Sequence, residues 1–263
     1  MKLPKLPISK MPFFKIMNLT LSEYIRSSFS ILLFFLLLLV ITPPVFILLV
    51  LTFGKFSNFV VEKIAPLIVK PTFAVAGIDF NIKYHCEKLY SPAVFIINHS
   101  STLDILTILA LGLPKIRFLV KWQLQYNPLF FILGRLTGQI FIKREDTQKA
   151  VETLRKTYTR IRKKKLSVLL APEGSRKHEG VIGLFKKGPF RMAMDLGYPI
   201  VPIYFEGNRK LSSGGFLLTR SGKCTAHIHE PVFTEDWTIE NLESHITSVR
   251  SMYLKWAEIT TEP

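Results

Sequence analysis

The chain has 263 residues, with 35 lysines and arginines against 19 aspartates and glutamates, and a formal net charge of +16. Such a charge attracts a polyanion, either nucleic acid or an anionic membrane surface, but 48% hydrophobic residues and a mean hydropathy of +0.27 favour the membrane. The two cysteines, Cys86 and Cys224, lie far apart, which argues against a disulfide framework or a structural zinc site.

An uncharged apolar stretch dominates the N-terminal part of the chain, since residues 29–53 contain no charged side chain. This length spans a bilayer as one helix, but Pro43 and Pro44 interrupt it, and adjacent prolines kink or break a helix. Basic residues on both sides give no clear orientation for a single span. We therefore predict a helical hairpin or re-entrant membrane anchor over 29–70, after a basic amphipathic segment over 1–28. One kinked transmembrane helix is the alternative.

From residue 71 to residue 263, short β-rich runs alternate with helical patterns. The predicted strands are 93–97, 138–142, 167–170, 200–205 and 225–230. The predicted helices are 104–111, 127–136, 147–164, 186–196 and 239–257. This alternation predicts an α/β fold with a mixed, largely parallel sheet flanked by helices. In such sheets ligands bind at the carboxyl ends of the strands, so we expect the functional site there.

The first motif, residues 98–104, directly follows a predicted strand and contains His99 and Asp104. On a straight helix their side chains would point about 140° apart, so they meet only if the chain bends between them. Ser100 and the two residues after it are of the types that cap a helix. A carboxylate on one imidazole nitrogen leaves the other free to take a proton, which predicts a catalytic pair. Backbone amides in the Ser100–Ser101 turn are candidate donors to an oxyanion.

Further candidate residues follow two other predicted strands or lie within a third. Gly174 permits a tight turn beside Glu173 and Arg176, whose planar fork suits a phosphate or carboxylate. Arg144 ends another strand and adds positive charge to the same edge of the sheet. The apolar run 201–203 carries a proline, which suits an edge strand or a wall near the site.

Two patterns outside these motifs leave alternatives open. Seven of the fourteen residues over 152–165 are basic, as in a solvated helix, a surface for anionic lipid headgroups, or a surface for an acidic protein partner. His227 and His229 share one face of a strand, but no third metal ligand is evident, so we expect no metal site.

Taken in this order, the motifs resemble those of the glycerolipid acyltransferases, in particular the 1-acyl-sn-glycerol-3-phosphate acyltransferases. The resemblance covers roughly residues 75–235 and departs from the family pattern at Ser175, which stands for threonine and keeps the hydroxyl. The matching residues are Asn98, His99, Ser101 and Asp104; Phe141, Ile142 and Arg144; Pro172, Glu173, Gly174, Ser175 and Arg176; and Val201, Pro202 and Ile203.

The resemblance implies acyl transfer from an acyl thioester, acyl-CoA or acyl carrier protein, to the sn-2 hydroxyl of lysophosphatidic acid, giving phosphatidic acid for phospholipid biosynthesis. His99 would be the general base and Asp104 its partner. The substrate would be bound by Arg144, Glu173, Gly174, Ser175 and Arg176. No cofactor or metal is implied. The motifs do not separate this acceptor from glycerol-3-phosphate, another lysophospholipid or a lyso-ornithine lipid.

The expected partners are lysophosphatidic acid, the thioester donor and anionic membrane lipids, and the expected location is the cytoplasmic face of the inner (plasma) membrane. A non-catalytic protein that binds membranes or nucleic acid is a further interpretation. The intact pair of His99 and Asp104, together with the apolar anchor, argues against it, and we expect no nucleic-acid partner.

Overall fold

The computed structural model describes residues 19–142, 157–175, 181–212 and 218–261. Its helices are α1 (Leu21–Leu51), α2 (Ser57–Phe59), a π-helical segment (Val60–Ile64), α3 (Ala65–Ala76), α4 (Leu103–Leu111), a 3-10 helix (Trp122–Tyr126), α5 (Pro128–Leu136), α6 (described over 157–164), α7 (Lys187–Leu196), α8 (Asn208–Leu211) and α9 (Leu242–Thr261). Its strands are β1 (Ile78–Tyr84), β2 (Val94–Ile97), β3 (Ile116–Lys121), β4 (Ile140–Ile142), β5 (Ser167–Leu170), β6 (Ile200–Glu206) and β7 (Gly222–Ile228).

The strands form one seven-stranded sheet in the order β1-β7-β6-β2-β5-β3-β4. Every neighbouring pair is parallel except β6 and β7, which are antiparallel. The central strand β2 is a continuous buried apolar run, as expected where helices cover both faces of a parallel sheet. The predicted mixed, largely parallel α/β sheet is confirmed.

Two strands were not among the predicted ones. In β1, Ile78 is buried and Phe80 and Ile82 are partly buried, while the residues between them are exposed, which is the alternation of a strand with one face on the core. Strand β3 was missed because Arg117 interrupts its apolar run. The structure buries this arginine, which donates to the Ile116 carbonyl and to Asn58.

The N-terminal segment is a helical hairpin, but its geometry differs from the predicted break at the prolines. Helix α1 starts after a capping box at Thr20 and continues through Pro43 and Pro44. The chain reverses over 52–56, where Gly54 has φ +72° and a Cβ would meet the Leu136 carbonyl at 2.6 Å. Helix α3 then packs back on α1.

These helices also cross the predicted segment limits. Helix α1 begins at Leu21, before the predicted start of the anchor at 29, and α3 ends at Ala76, beyond its predicted end at 70. Residues 1–18 of the predicted basic segment lie outside the described part of the chain. The apolar stretch therefore does not end where the anchor was expected to end, because its second helix belongs to the packed core.

One face of the sheet packs on α7 and α9, and the other packs on α3 and α4. Tyr253 of α9 is fully buried, and its hydroxyl donates to the Ile96 carbonyl at 2.7 Å and accepts the Ile203 amide at 3.1 Å. The C-terminal helix thereby joins β2 and β6 shortly before both strands end.

Candidate active site

Three adjacent parallel strands, β6, β2 and β5, end at the same edge of the sheet. The segment that contains His99 follows β2, the segment that contains Glu173 follows β5, and Asn208 follows β6. Motifs that are about 35 to 110 residues apart in sequence are therefore neighbours in space, which is the expected position of a ligand site in an open α/β sheet.

His99 and Asp104 meet at this edge. The bend over residues 100–102 turns the chain into α4, and Nδ1 of His99 lies 2.9 Å from Oδ2 of Asp104. The Asp104 side chain is fully buried, whereas the His99 side chain is 24% exposed. The hydrogen bond fixes the tautomer with the proton on Nδ1, and Nε2 makes no hydrogen bond within the described residues. This is the arrangement of a general base.

The backbone amides of the turn serve the carboxylate. Ser100 N and Ser101 N both donate to Oδ2 of Asp104, at 2.8 and 2.9 Å. The expectation that these amides stabilise an oxyanion is therefore corrected: they are already occupied in holding the aspartate at the first turn of α4. Any oxyanion donor must come from another part of the site.

Side chains on either side of this turn hold it in place. The Asn98 side chain forms two hydrogen bonds with the backbone of Phe205, accepting its amide at 2.7 Å and donating to its carbonyl at 3.0 Å. The Ser101 hydroxyl donates to the Ser212 carbonyl at 2.6 Å. Both residues are buried, so the first motif is joined to the end of β6 and to the loop after α8.

Glu173 lies in the turn after β5 and is 5% exposed. Its Oε1 accepts the backbone amide of His99 at 2.7 Å, and its Oε2 accepts the amide of Gly183 at 2.7 Å. The sequence placed Glu173 beside the substrate or an arginine. The structure adds a second task, in which the carboxylate ties the His99 turn to the segment before α7.

Gly174 and Ser175 follow in the same turn. Gly174 has φ +70°, and a Cβ there would lie 2.8 Å from Nζ of Lys186, so this position needs glycine for its backbone angle and for the close approach of the lysine. Ser175 is exposed. Lys186, the first residue of a predicted helix, brings a cation to the turn of the third motif.

The two predicted phosphate-binding arginines, Arg144 and Arg176, lie outside the described residues. Their proposed role stays a prediction.

Asn208 is a residue of this site that the sequence analysis missed. Its amide Nδ2 donates to Oδ1 of Asp104 at 2.8 Å, and its side chain is fully buried. A single asparagine after a strand resembles an ordinary turn residue. Its contacts depend on the fold, because β7, antiparallel to β6, and the packed helix α4 bring Cys224 and Thr107 to its side chain.

The histidines of β7 lie apart from this site. His85 completes a stack with His227 and His229, with ring centroids 5.2 and 4.6 Å from its own, and Nε2 of His227 lies 2.8 Å from Glu206. Within 19–142, 157–175, 181–212 and 218–261, no group of three or more histidine, cysteine, aspartate or glutamate side chains is arranged to hold a metal ion.

Comparison with known proteins shows similarity to acyltransferases. The acyltransferase family model matches residues 81–206. The chain is 31% identical over 180 residues to a chloroplastic 1-acyl-sn-glycerol-3-phosphate acyltransferase of Brassica napus, covering 68% of this chain and 51% of that protein. It is 32% identical over 158 residues to the 1-acyl-sn-glycerol-3-phosphate acyltransferase of Haemophilus influenzae, covering 59% of this chain and 64% of that one. The match thus spans about half to two thirds of the length of these relatives.

The fold also matches a solved structure. The crystal structure of the 1-acyl-sn-glycerophosphate acyltransferase from Thermotoga maritima superposes with a TM-score of 0.65 at 22% identity, covering 92% of this chain and 99% of that one. This likeness supports the architecture described above, including the helices before β1. Residues 81–206 of the chain match the acyltransferase domain, and the chain is similar to these acyltransferases over more than half of its length.

Proposed function

We propose that this chain transfers an acyl group from an acyl thioester to the sn-2 hydroxyl of lysophosphatidic acid, giving phosphatidic acid. The main support is the hydrogen bond between His99 Nδ1 and Asp104 Oδ2 at 2.9 Å. The imidazole is partly exposed and lies at the carboxyl ends of the strands. The names of the relatives supply the acceptor, because they are 1-acyl-sn-glycerol-3-phosphate acyltransferases.

The chemistry needs a base and no covalent intermediate. Nε2 of His99 accepts the proton of the acceptor hydroxyl while its oxygen attacks the thioester carbonyl. Asp104 stabilises the imidazolium that forms. When the tetrahedral intermediate collapses, the carbon–sulfur bond breaks and the imidazolium protonates the leaving thiolate. General base catalysis of this kind contributes about 10²- to 10⁴-fold in rate. No metal or cofactor takes part in this scheme.

We assign the acceptor phosphate to cations of the second and third motifs and of the segment that follows them. Arg144 and Arg176 keep the role that their sequence motifs suggest, because a guanidinium binds two phosphate oxygens at once. Lys186, whose amine lies against Gly174, adds a third positive charge. Glu173 supports this proposal indirectly, since it holds the His99 turn beside the segment that contains Gly174.

The membrane anchor is assigned to the N-terminal hairpin. Helix α1 is long and apolar enough to cross a membrane. Unlike a helix on the surface of a soluble protein, it buries serines and exposes leucines. Ser27 is fully buried against the protein, where its hydroxyl donates to the Thr219 carbonyl at 2.9 Å, whereas Leu39 is 72% exposed. An apolar surface of this size is typical of contact with lipid. We propose that it holds the site beside its lipid substrate on the cytoplasmic face of the membrane.

An acceptor panel tests this function. The purified chain in detergent micelles is given oleoyl-CoA, and in parallel an acyl carrier protein thioester, with lysophosphatidic acid, glycerol-3-phosphate, a lysophospholipid without a free phosphate monoester or a lyso-ornithine lipid. Phosphatidic acid formed from lysophosphatidic acid with either donor supports the proposal. Product from another acceptor alone would replace the acceptor, and no product from any combination would contradict acyl transfer.

A further inference from the structure

Asn208 occupies the oxygen of Asp104 that the His99 turn leaves open. Oδ2 of Asp104 accepts from Nδ1 of His99 and from the Ser100 and Ser101 amides. Oδ1 accepts from Nδ2 of Asn208 at 2.8 Å. Both side chains are fully buried, so water does not replace a lost partner readily, and the two carboxylate oxygens have separate sets of donors.

The orientation of the Asn208 amide is fixed by its other contacts. Cys224 of β7 donates its thiol proton to Oδ1 of Asn208 at 2.8 Å. Burial raises the pKa of Cys224 to about 12, so this thiol keeps its proton at neutral pH. Nδ2 also lies 3.1 Å from the Thr107 hydroxyl of α4. If the amide were reversed, two oxygens would face each other at Asp104 and the thiol would lose its acceptor, so Nδ2 must face the carboxylate.

The backbone places this amide at the end of β6. Gly207 has φ +90°, and a Cβ there would meet the Lys223 carbonyl of β7 at 2.3 Å. Only glycine fits so close to the neighbouring strand in this backbone conformation. The sharp turn at Gly207 ends β6 and points the next side chain back between α4 and β7.

We propose that Asn208 is a positioning residue for acyl transfer, which holds the Asp104 carboxylate in the plane that His99 requires. This inference rests on the proposed function, and it goes beyond it by adding a residue from outside the four motifs. Asn208 touches neither substrate nor the reacting atoms. It acts through Asp104, whose fixed carboxylate keeps Nε2 of His99 aimed at the acceptor hydroxyl.

Removing the donor should lower turnover without weakening substrate binding. We expect Asn208→Ala to reduce kcat by about 10- to 100-fold, the usual loss when a residue that orients a functional side chain is removed, while KM for the lysolipid changes little. A group that orients the base matters mainly in the transition state, so the loss belongs in kcat. Asn81 is exposed on β1, so Asn81→Ala and Asn81→Asp are the matched controls for Asn208→Ala and Asn208→Asp.

Asn208→Asp gives a signature that a merely structural residue would not give. It is almost the same size as asparagine and puts a second carboxylate against Asp104. Two adjacent buried carboxylates repel each other, so one of them keeps its proton to a higher pH than an isolated carboxyl does. While it is protonated, the Asp side chain can donate to Asp104 as the amide does. The ratio of variant to wild-type kcat should therefore rise as pH falls from about 8 to about 6.

The outcomes separate this inference from the proposed function. If neither the wild type nor Asn81→Asp forms product, the proposed function is wrong. If they are active and both Asn208 variants keep wild-type kcat, the positioning role is overturned. If Asn208→Ala does not fold, Asn208→Asp decides alone: a pH-dependent recovery supports the role, and a ratio that stays flat with pH overturns it.

Discussion

The backbone amide of His99 donates to the carboxylate of Glu173 at 2.7 Å. The turn that contains the histidine of the first motif is therefore bonded directly to the turn that contains the glutamate of the third, although the two residues are 74 positions apart. The other oxygen of Glu173 accepts the Gly183 amide, so a single buried carboxylate fixes two segments at the edge of the sheet. This contact makes the position of the base depend on the third motif.

Glu173→Gln should destabilise the fold and slow turnover together. One oxygen becomes an NH₂ group that faces a backbone N–H, so one buried amide loses its acceptor, at a cost of about 1–3 kcal/mol. Denaturant unfolding in micelles measures the stability, and initial rates measure kcat. Glu87→Gln, at an exposed position, is the matched control. If Glu173→Gln keeps wild-type stability and turnover, the two hydrogen bonds contribute to neither.

Arg176→Lys should raise the apparent KM for lysophosphatidic acid and lower turnover. Lysine keeps the charge but loses the planar fork that binds two phosphate oxygens. The measurement is a steady-state titration of the acceptor, beside Arg191→Lys on the exposed side of α7 as the control. Kinetics identical to those of the wild type would remove Arg176 from the site.

The stacked side chains of His85, His227 and His229 should make stability depend on pH. Burial, and then the neighbouring His85 and His227, lower the pKa of His229 from 6.5 to about 4. The unfolded chain therefore binds a proton at this position between pH 6.5 and about 4 while the folded chain does not, so stability falls as pH falls through that window.

His229→Phe tests this directly. Phenylalanine can keep the stack on Trp256, whose ring lies 3.6 Å from that of His229, but it cannot take up a proton. Between neutral pH and about pH 5, the melting temperature should fall further in the wild type than in the variant, because only the wild type has a histidine that takes up a proton on unfolding. An equal loss in both proteins would contradict the assignment.

Negative charges on the outer face of α1 should abolish membrane binding. Leu32, Leu36 and Leu39 are 63%, 52% and 72% exposed and lie on one helical face, so their replacement leaves the protein core intact. A triple change to Glu puts costly charges into lipid, at about 2.5–3.5 kcal/mol each for a charged side chain near the bilayer centre. The measurement is cosedimentation with anionic vesicles in high salt, with the triple change to Ala as control. Salt-resistant binding by the Glu variant would contradict the anchor.

The hairpin shows where sequence reasoning reached its limit. A charge-free stretch indicated apolar helices, but Pro43 and Pro44 suggested a break that the structure does not have. The chain reverses instead at Gly54, which packs against the Leu136 carbonyl of α5. This contact joins segments that are far apart in sequence, so it leaves no local pattern. Conversely, Ser167–Leu170 was predicted with its observed bounds, since a short buried strand between turns has a strong local pattern.

The site was predictable to the extent that its residues follow strands. His99 and Asp104 stand close in sequence, and the need for a bend between them could be read from their spacing. The contacts of Glu173 and Asn208 could not be predicted in this way, because their partners lie on other strands and loops. Side chains that support a site through long-range contacts carry little local signal.

The most direct measurement compares initial rates of acyl transfer for wild type, His99→Ala and His85→Ala, with lysophosphatidic acid and the donor thioester found active in the acceptor panel. His85 is an exposed histidine near β7, away from the carboxyl ends of β2 and β5. We predict that His99→Ala loses about 10²- to 10⁴-fold in rate while His85→Ala stays active. Equal rates for wild type and His99→Ala would contradict it, because His99 would then not be the base.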